Sequence, residues 1–461
     1  MLGGNIGAAA VAVALLTGTA CAIELDIHKE QSIKDAAATA VFNTMSNYTA
    51  NQTSSNPKQS PRTWWENGIF FSTLMQYWYF TGDASNNAAV SQGMYDQRGK
   101  ANDYMPQKSP GFVNDDQMTW GLAAMTAAEL NYPRESSSMP SWISLAENVF
   151  NSQVARWDNT SCDGGMRWAI EPTQSGYTMK NARENGGLFQ LSARLARYTD
   201  NQTYAHWAEK IWDWSAGTAL LDTKSWRVAD SVLVEGSCKR SSHEQWTYNY
   251  GPYISGAAYM YNMTKGNEHK WRLGLDGLLK TTFDSFFPEK HGGKIMSEVT
   301  CEPKMLCGPN QDIFKGILAS DLVFTSIVAS HTASDILPRL QGSAVGAAKQ
   351  CSGGSNHTLC GRRWYDTEWD GSADIEEQIS AASLFSANLV VFKKDKNPAT
   401  LSTASNTTQS TAKGASESSG TTTSGGDSSS KPNSGSSIAG GALGVSAGIV
   451  AGVVAAVQAM A

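Results

Sequence analysis

Five short turns of one make recur along this chain, each ending one apolar segment and opening another. They are Tyr79-Phe80-Thr81-Gly82-Asp83, Leu130-Asn131-Tyr132-Pro133, Arg197-Tyr198-Thr199-Asp200, Tyr261-Asn262-Met263-Thr264-Lys265-Gly266 and Ala329-Ser330-His331-Thr332-Ala333. Such a repeat constrains architecture strongly, because each unit must bury its apolar face against the next. Periodicity and breakers predict helices near 31–49, 65–80, 87–97, 115–131, 141–157, 182–198, 203–217, 244–262, 268–286, 311–330, 334–350 and 374–391. No convincing run of alternating strands accompanies them. Within a pair, the first helix is apolar and rich in small residues, as in Gly186-Gly187-Leu188-Phe189, while the second carries Trp and charge, as in Trp207 to Trp212. Five turns and a less clear sixth predict an all-α fold, an (α/α)6 barrel of six helical hairpins over 23–396. An open solenoid is the alternative. The long glycine-bearing connections before the inner helices favour closure, with one end forming a cleft.

The ends of the chain read differently. Residues 1–22 resemble a secretory signal, with an apolar run from Ala8 to Leu16 and the small-residue site Ala20-Cys21-Ala22. From Leu401 to Ser437, 20 of 37 residues are Ser or Thr and none is aromatic, a composition that cannot build a core. We read 397–433 as a disordered, O-glycosylated stalk. The apolar tail after it has no basic stop. Together with the small residues Asn433-Ser434-Gly435 it predicts a glycosylphosphatidylinositol (GPI) anchor, favoured at Asn433 with Ser434 and Gly435 as near alternatives, and a removed propeptide over 434–461. Membrane attachment is then through lipid alone, on the outer face of the plasma membrane and in the cell wall.

Export agrees with the cysteines. Removal of Cys21 with the signal leaves six, and their spacing favours Cys301–Cys307 and Cys351–Cys360, with Cys162–Cys238 as the long bridge. No CxxC pair or His cluster supports a zinc site, so no metal and no cofactor is expected. Sequons stand at Asn47, Asn51, Asn159, Asn201, Asn262, Asn356 and Asn406. A net charge of -6 without a basic block gives no footprint for nucleic acid.

Function is argued from the rim where inner helices begin. Trp64 and Trp65 precede the second helix, Asn114, Asp115, Asp116 and Gln117 the fourth, and Arg183, Glu184 and Asn185 the sixth. Tyr248, Asn249 and Tyr250 open the eighth, and Asp370, then Glu376, Glu377 and Gln378, open the last. Amides and acids for hydroxyls, with aromatic faces for the apolar side of a ring, are the makings of a carbohydrate site. Asp374, Glu376 and Glu377 are weighed as a cation site, against which a capped helix start is the plainer reading. Asn114 is read as an N-cap forming a capping box with Gln117. Glycoside chemistry needs one carboxylate and one carboxylic acid, about 5–5.5 Å apart for retention. Neighbouring Asp side chains on alpha carbons about 3.8 Å apart reach that separation naturally. Two close acids do not both ionise easily, and a helix N-terminus favours one as the anion. The residues alone leave open which is which.

Asn114-Asp115-Asp116-Gln117, Trp64-Trp65, Asn185-Gly186 and Tyr248-Asn249-Tyr250-Gly251 resemble the endo-α-1,6-mannanases of glycoside hydrolase family 76. Signal, stalk and anchor narrow the resemblance to its fungal wall branch. The resemblance implies an (α/α)6 barrel, Asp115 as nucleophile and Asp116 as acid/base. It also implies action on the mannose-containing glycan of GPI anchors, transferring GPI proteins onto wall glucan. One departure stands out: Arg183 and Glu184 occupy positions where less charged residues are expected. A non-catalytic wall lectin and a structural anchored protein are the competing classes.

Overall fold

The computed structural model describes residues 22–46, 48, 63–105 and 111–393. All of these fall in the compact unit Met1–Lys413, and the second unit, Gly414–Ala461, lies outside them. The signal, stalk and anchor readings, Asn433 included, lie outside the described residues, apart from Ala22 at the edge of the signal.

The helices are α1 (Glu30–Ser46), α2 (Trp64–Thr81), α3 (Asn87–Asp96), α4 (Asn114–Glu129), α5 (Trp142–Val154), α6 (Ala182–Thr199) and α7 (Gln202–Gly217). They continue as α8 (Thr247–Met263), α9 (His269–Phe286), the single turn α10 (Pro309–Asp312), α11 (Phe314–Val328), α12 (Ala333–Gln350) and α13 (Ile375–Asn388). Neighbours in the inner ring are α2 with α4, α4 with α6, α6 with α8, α8 with α11, α11 with α13, and α13 back to α2. The ring closes, so the fold is the (α/α)6 barrel and not an open solenoid. Outside it, α3, α5, α7, α9 and α12 pack on the inner helices that precede them.

The sixth hairpin lacked a clear turn for a physical reason. Its inner helix is α13 and its outer helix is α1, which packs chiefly on α13, so the pair joins the two ends of the fold. The Ile23 N–H donates to the Cys351 carbonyl at 3.1 Å and ties the start of the chain to that seam.

Inner helices are buried almost all round, α4 from Gln117 to Glu129 without interruption. Glycine lets them approach. A Cβ on Gly256 of α8 would lie 2.4 Å from the Phe189 ring of α6, and one on Gly316 of α11 would lie 2.6 Å from the Ser380 backbone of α13. Short strands occur in the connections. β1 (Met179–Asn181) pairs antiparallel with β4 (Ser231–Leu233), β2 (Leu221–Asp222) with β3 (Arg227–Val228), and β5 (Cys351–Gly353) with β6 (Leu359–Cys360). The three expected disulfides form: Cys162–Cys238, Cys301–Cys307 and Cys351–Cys360. Among the described residues no single helix is long and apolar enough to cross a membrane.

Candidate active site

The rim repeats one device. In α2, the Thr63 N–H donates to Glu66 Oε2 at 2.9 Å; in α4, the Val113 N–H donates to Asp116 Oδ2 at 3.3 Å; in α6, the Asn181 N–H donates to Glu184 Oε1. Each acid is the third residue of its helix and folds back on the cap, satisfying a backbone donor that the helix leaves orphaned. This corrects the predicted capping box. Val113, not Asn114, is the N-cap, and Asp116, not Gln117, is the residue that reaches back. Val113 enters the helix extended, held by a bridge to Ala169, while the Asn114 N–H donates to the Trp168 carbonyl at 2.9 Å.

Asn114 and Gln117 are consumed in scaffolding. Asn114 Nδ2 donates to the Arg167 carbonyl at 2.8 Å, and its Oδ1 accepts from Arg156 Nε at 2.7 Å. Gln117 Nε2 donates to the Asp103 carbonyl at 2.7 Å, and its Oε1 accepts from Gln153 and Arg156. They grip both ends of the Asp115-Asp116 step from α5 and leave the aspartates toward the partly exposed mouth.

Asp115 differs from its neighbour in having no capping bond. Its Oδ1 is buried and has no hydrogen-bond partner among the described residues. Burial raises its carboxyl to about 6, with the Arg183 guanidinium and the Trp168 indole opposing that rise. Burial, the Asp115 charge and Glu66 raise Asp116 further, to about 8, against the Val113 bond. The pair is therefore split, with Asp115 the member that ionises first and Asp116 the member that keeps its proton. Beside it, burial and Asp115 raise the Glu184 carboxyl well above its usual range.

Aromatic surface flanks the acids. The Trp64 indole N–H donates to Gln97 Oε1 at 2.8 Å, and the ring lies 4.7 Å from Phe112 and 5.2 Å from Trp120. Trp65 is partly exposed beside it. Tyr248 stacks on Phe314 at 3.8 Å with Arg183 above its ring at 5.5 Å.

Five predicted binding residues turn away from the mouth. The Asn185 amide is spent on both backbone groups of Met166 and on the Asn181 carbonyl. Asn249 donates to Asp230 Oδ1 at 2.8 Å from a fully buried position. Tyr250 points outward between α8 and α9, bonded to Gln245 and 5.3 Å from Phe286. Gln378 clamps both backbone groups of Cys360, and Asp370 is tied to Arg363 and Ser372. Consecutive helical side chains diverge by about 100°, so a contiguous motif cannot face one cleft with every member. The acids Asp374, Glu376 and Glu377 come within 4.8 Å of one another, but Arg362 stands beside them, 3.4 Å from Glu377 and 3.0 Å from Asp312. That cation supplies positive charge of the protein's own.

Of the sequons, Asn159, Asn201 and Asn356 are exposed. Asn262 is not a free acceptor, since its Nδ2 donates to the Val328 carbonyl at 2.7 Å and its Oδ1 accepts from Arg197. Asn47, Asn51 and Asn406 lie outside the described residues. Sequence reading missed Trp168 and Asp230, which sit in irregular connections. It also missed Asp321, whose signal was available as a lone acid in the apolar run of α11.

The family model for glycosyl hydrolase family 76 matches residues 32–402. The mannan endo-1,6-alpha-mannosidase DCW1 of Saccharomyces cerevisiae is 38% identical over 78% of this chain and 80% of its own. A putative mannan endo-1,6-alpha-mannosidase of Schizosaccharomyces pombe is 41% identical over 71% of this chain and 73% of its own. The crystal structure of Dfg5 from Chaetomium thermophilum in complex with glucosamine aligns with a TM-score of 0.76 at 34% identity, covering 83% of this chain and 94% of that one. An inactive variant of an α-1,6-mannanase from Salegentibacter sp. HEL1_6, in complex with α-1,6-mannotriose, shares the fold at a TM-score of 0.61 and 19% identity, covering 78% of this chain and 99% of that one. Helical barrel, split acid pair and matched length agree, and the chain belongs to glycoside hydrolase family 76.

Proposed function

We propose that this protein is a retaining endo-α-1,6-mannosidase or transglycosidase. Asp115 attacks the anomeric carbon of an α-1,6-linked mannose, the glycosidic C–O bond breaks, and the leaving oxygen takes the Asp116 proton. Asp116, now a carboxylate, withdraws a proton from an incoming hydroxyl, which displaces Asp115 and restores both groups. With water the outcome is hydrolysis; with a sugar hydroxyl it is transfer. Trp64, Trp65 and Tyr248 offer the apolar surface for sugar rings.

The observation that carries this reading is the split of two adjacent carboxyls at one helix start, where burial and the neighbouring Asp115 charge hold Asp116 protonated beside an unpartnered Asp115 oxygen. The fungal relatives carry the mannosidase name. We extend it to the mannose-containing GPI-core glycan as donor and wall glucan as acceptor. This extension rests on the reading of 1–22 as a leader, 23–396 as the catalytic barrel, 397–433 as a stalk and 434–461 as a GPI signal.

The test is to assay Asp115→Asn and Asp116→Asn separately on an α-1,6-mannooligosaccharide while following the anomer of the first product by NMR. The proposal expects α product from wild type and at least about 1,000-fold loss in Asp115→Asn. Wild-type rates in both variants would overturn the catalytic assignment, binding without turnover by wild type would favour the lectin reading, and β product would exclude retention.

A further inference from the structure

Arg183 has no evident reason to stand where it does for the sake of folding. It is the second residue of α6, at the positive end of that helix, where a cation is unfavourable. It is 4% exposed, and a buried guanidinium is costly unless paired. Yet it makes no ion pair within 4 Å among the described residues, and its hydrogen bond is a long one, Nη1 to the Tyr248 carbonyl at 3.4 Å. It sits at the equivalent position of α6 to that of Asp115 in α4, second in the helix and one residue before the capping acid.

Below the mouth, Arg183 lines an internal cavity with Thr119, Gln190, Ser255, Ser320 and Asp321. Asp321 accepts from Gln190 Nε2 at 2.7 Å and lies against α8, where a Cβ on Gly251 would meet its carboxylate. Arg183 thus shares the lumen with Asp321, and on α6 it holds the rim position that Asp115 holds on the neighbouring inner helix α4.

We propose that Arg183 is a positioning residue that keeps Asp115 as the anion, and that Asp321 shares and so limits its charge. The inference rests on the assignment of Asp115 as nucleophile. When the Asp115 anion is consumed in a glycosyl ester, Asp321 remains as the counter-charge, so the guanidinium is not stranded in a neutral cavity. A planar, always charged group suits this role better than Lys, which is readily neutralised when buried.

Other charges bear on the same site and set the sign of each change. Asp116 on α4, Glu66 on α2 and Glu184 on α6 are carboxyls beside Asp115, and Asp230 lies near Glu184 and Tyr248. All are acidic and disfavour a second anion; Arg183 opposes them at Asp115, while at Asp321 it acts together with Arg194, which lines the same cavity and is itself paired with Glu129 at 2.9 Å. Arg183 lowers the proton affinity of both Asp115 and Asp321, and in each case burial is the larger, opposing effect.

The experiment is the pH dependence of kcat/KM on a soluble α-1,6-mannooligosaccharide for the full-length chain, with folding checked by circular dichroism. Arg183→Met is expected to move the acid limb up by about one pH unit, as loss of a nearby opposite charge does, with at least a tenfold fall at the wild-type optimum. Arg183→Lys should move the limb up by less than Arg183→Met does, since a buried Lys keeps only part of the charge. Asp321→Asn removes the competing carboxylate and should move the limb down. Opposite shifts from residues 183 and 321 are not the result of general loosening. An unmoved limb in folded Arg183→Met, or an upward shift in Asp321→Asn, overturns the inference. If Arg183→Met does not fold, the Asp321→Asn direction decides. Asp115→Asn runs alongside: if it retains activity, the nucleophile assignment has failed, whereas its inactivation with an unmoved limb in the other variants refutes the role of Arg183 alone.

Discussion

Asp116 accepts the Val113 N–H at 3.3 Å while standing one residue from Asp115, one of whose carboxylate oxygens has no partner among the described residues. One acid thus serves helix and chemistry together, and its neighbour is left to chemistry. A carboxyl that folding raises costs stability when charged. The cost is absent below the unfolded value near 4, grows as pH rises, and is complete above the raised folded value.

Asp116→Asn is therefore expected to abolish turnover of an unactivated α-1,6-mannoside yet to melt above wild type at pH 8.5, with the gap closing at pH 4. Thermal unfolding at the two pH values checks this. A variant less stable than wild type at high pH would show that the Val113 cap outweighs the charge.

The pair also sets the pH profile. Activity should rise as Asp115 loses its proton around 6 and fall as Asp116 loses its own around 8. In Asp116→Asn, residual activity toward a substrate with a good leaving group should lose the alkaline limb. Retention of that limb would assign it elsewhere.

Much of this was legible in the sequence, for physical reasons. Five hairpins announce themselves because each inner helix needs small apolar residues on every side, and because short turns between layers draw on Gly, Asn, Asp and Pro. The acids were legible as an oddity at a helix start. What was not legible is direction. Asn185 and Tyr250 sit in rim motifs yet face the wall, because the angle between successive helical residues depends on a boundary that pattern alone fixes only to a few residues. The one-residue slip from Asn114 to Val113 as N-cap is the same problem, and it turned two supposed sugar ligands into braces. The pairing of α13 with α1 was hidden because no turn joins them.

The loop that carries Trp168 is held from beneath by Asp158, which pairs with Arg167 at 2.9 Å and Lys180 at 3.0 Å. Burial would raise this carboxyl, but bonds from Ser161, Thr160 and Lys180 overcome it and hold the group far below the usual range. Asp158→Asn should cost about 3 kcal/mol at neutral pH, as breaking a buried pair does. Since the folded group binds its proton more weakly than the unfolded one, this stability is present above about pH 4 and is lost below it. Denaturant unfolding at pH 7 and pH 3 should show a gap that narrows in acid.

The Cys162–Cys238 bridge spans 76 residues and ties the same loop to the segment after α7. Replacing both cysteines by Ser should cost about 4 kcal/mol on loop-entropy grounds, well above the effect of opening Cys301–Cys307, which spans 6. Equal losses from the two double variants, in reversible unfolding, would contradict this ranking.

Close packing of the inner ring predicts intolerance at Gly256. A methyl there meets the Phe189 ring at 2.4 Å, and that ring is packed against Tyr253, Trp212 and Trp271. Gly256→Ala should cost about 2 kcal/mol, measurable by denaturant unfolding.

The central claim is that Asp115 forms the bond to sugar. It is tested most directly by incubating Asp116→Asn with an activated fluorinated α-mannoside and sequencing the labelled peptide by mass spectrometry. The account predicts one mannosyl adduct, on Asp115. An adduct on any other residue, or turnover of that substrate with inversion and no adduct, would contradict it.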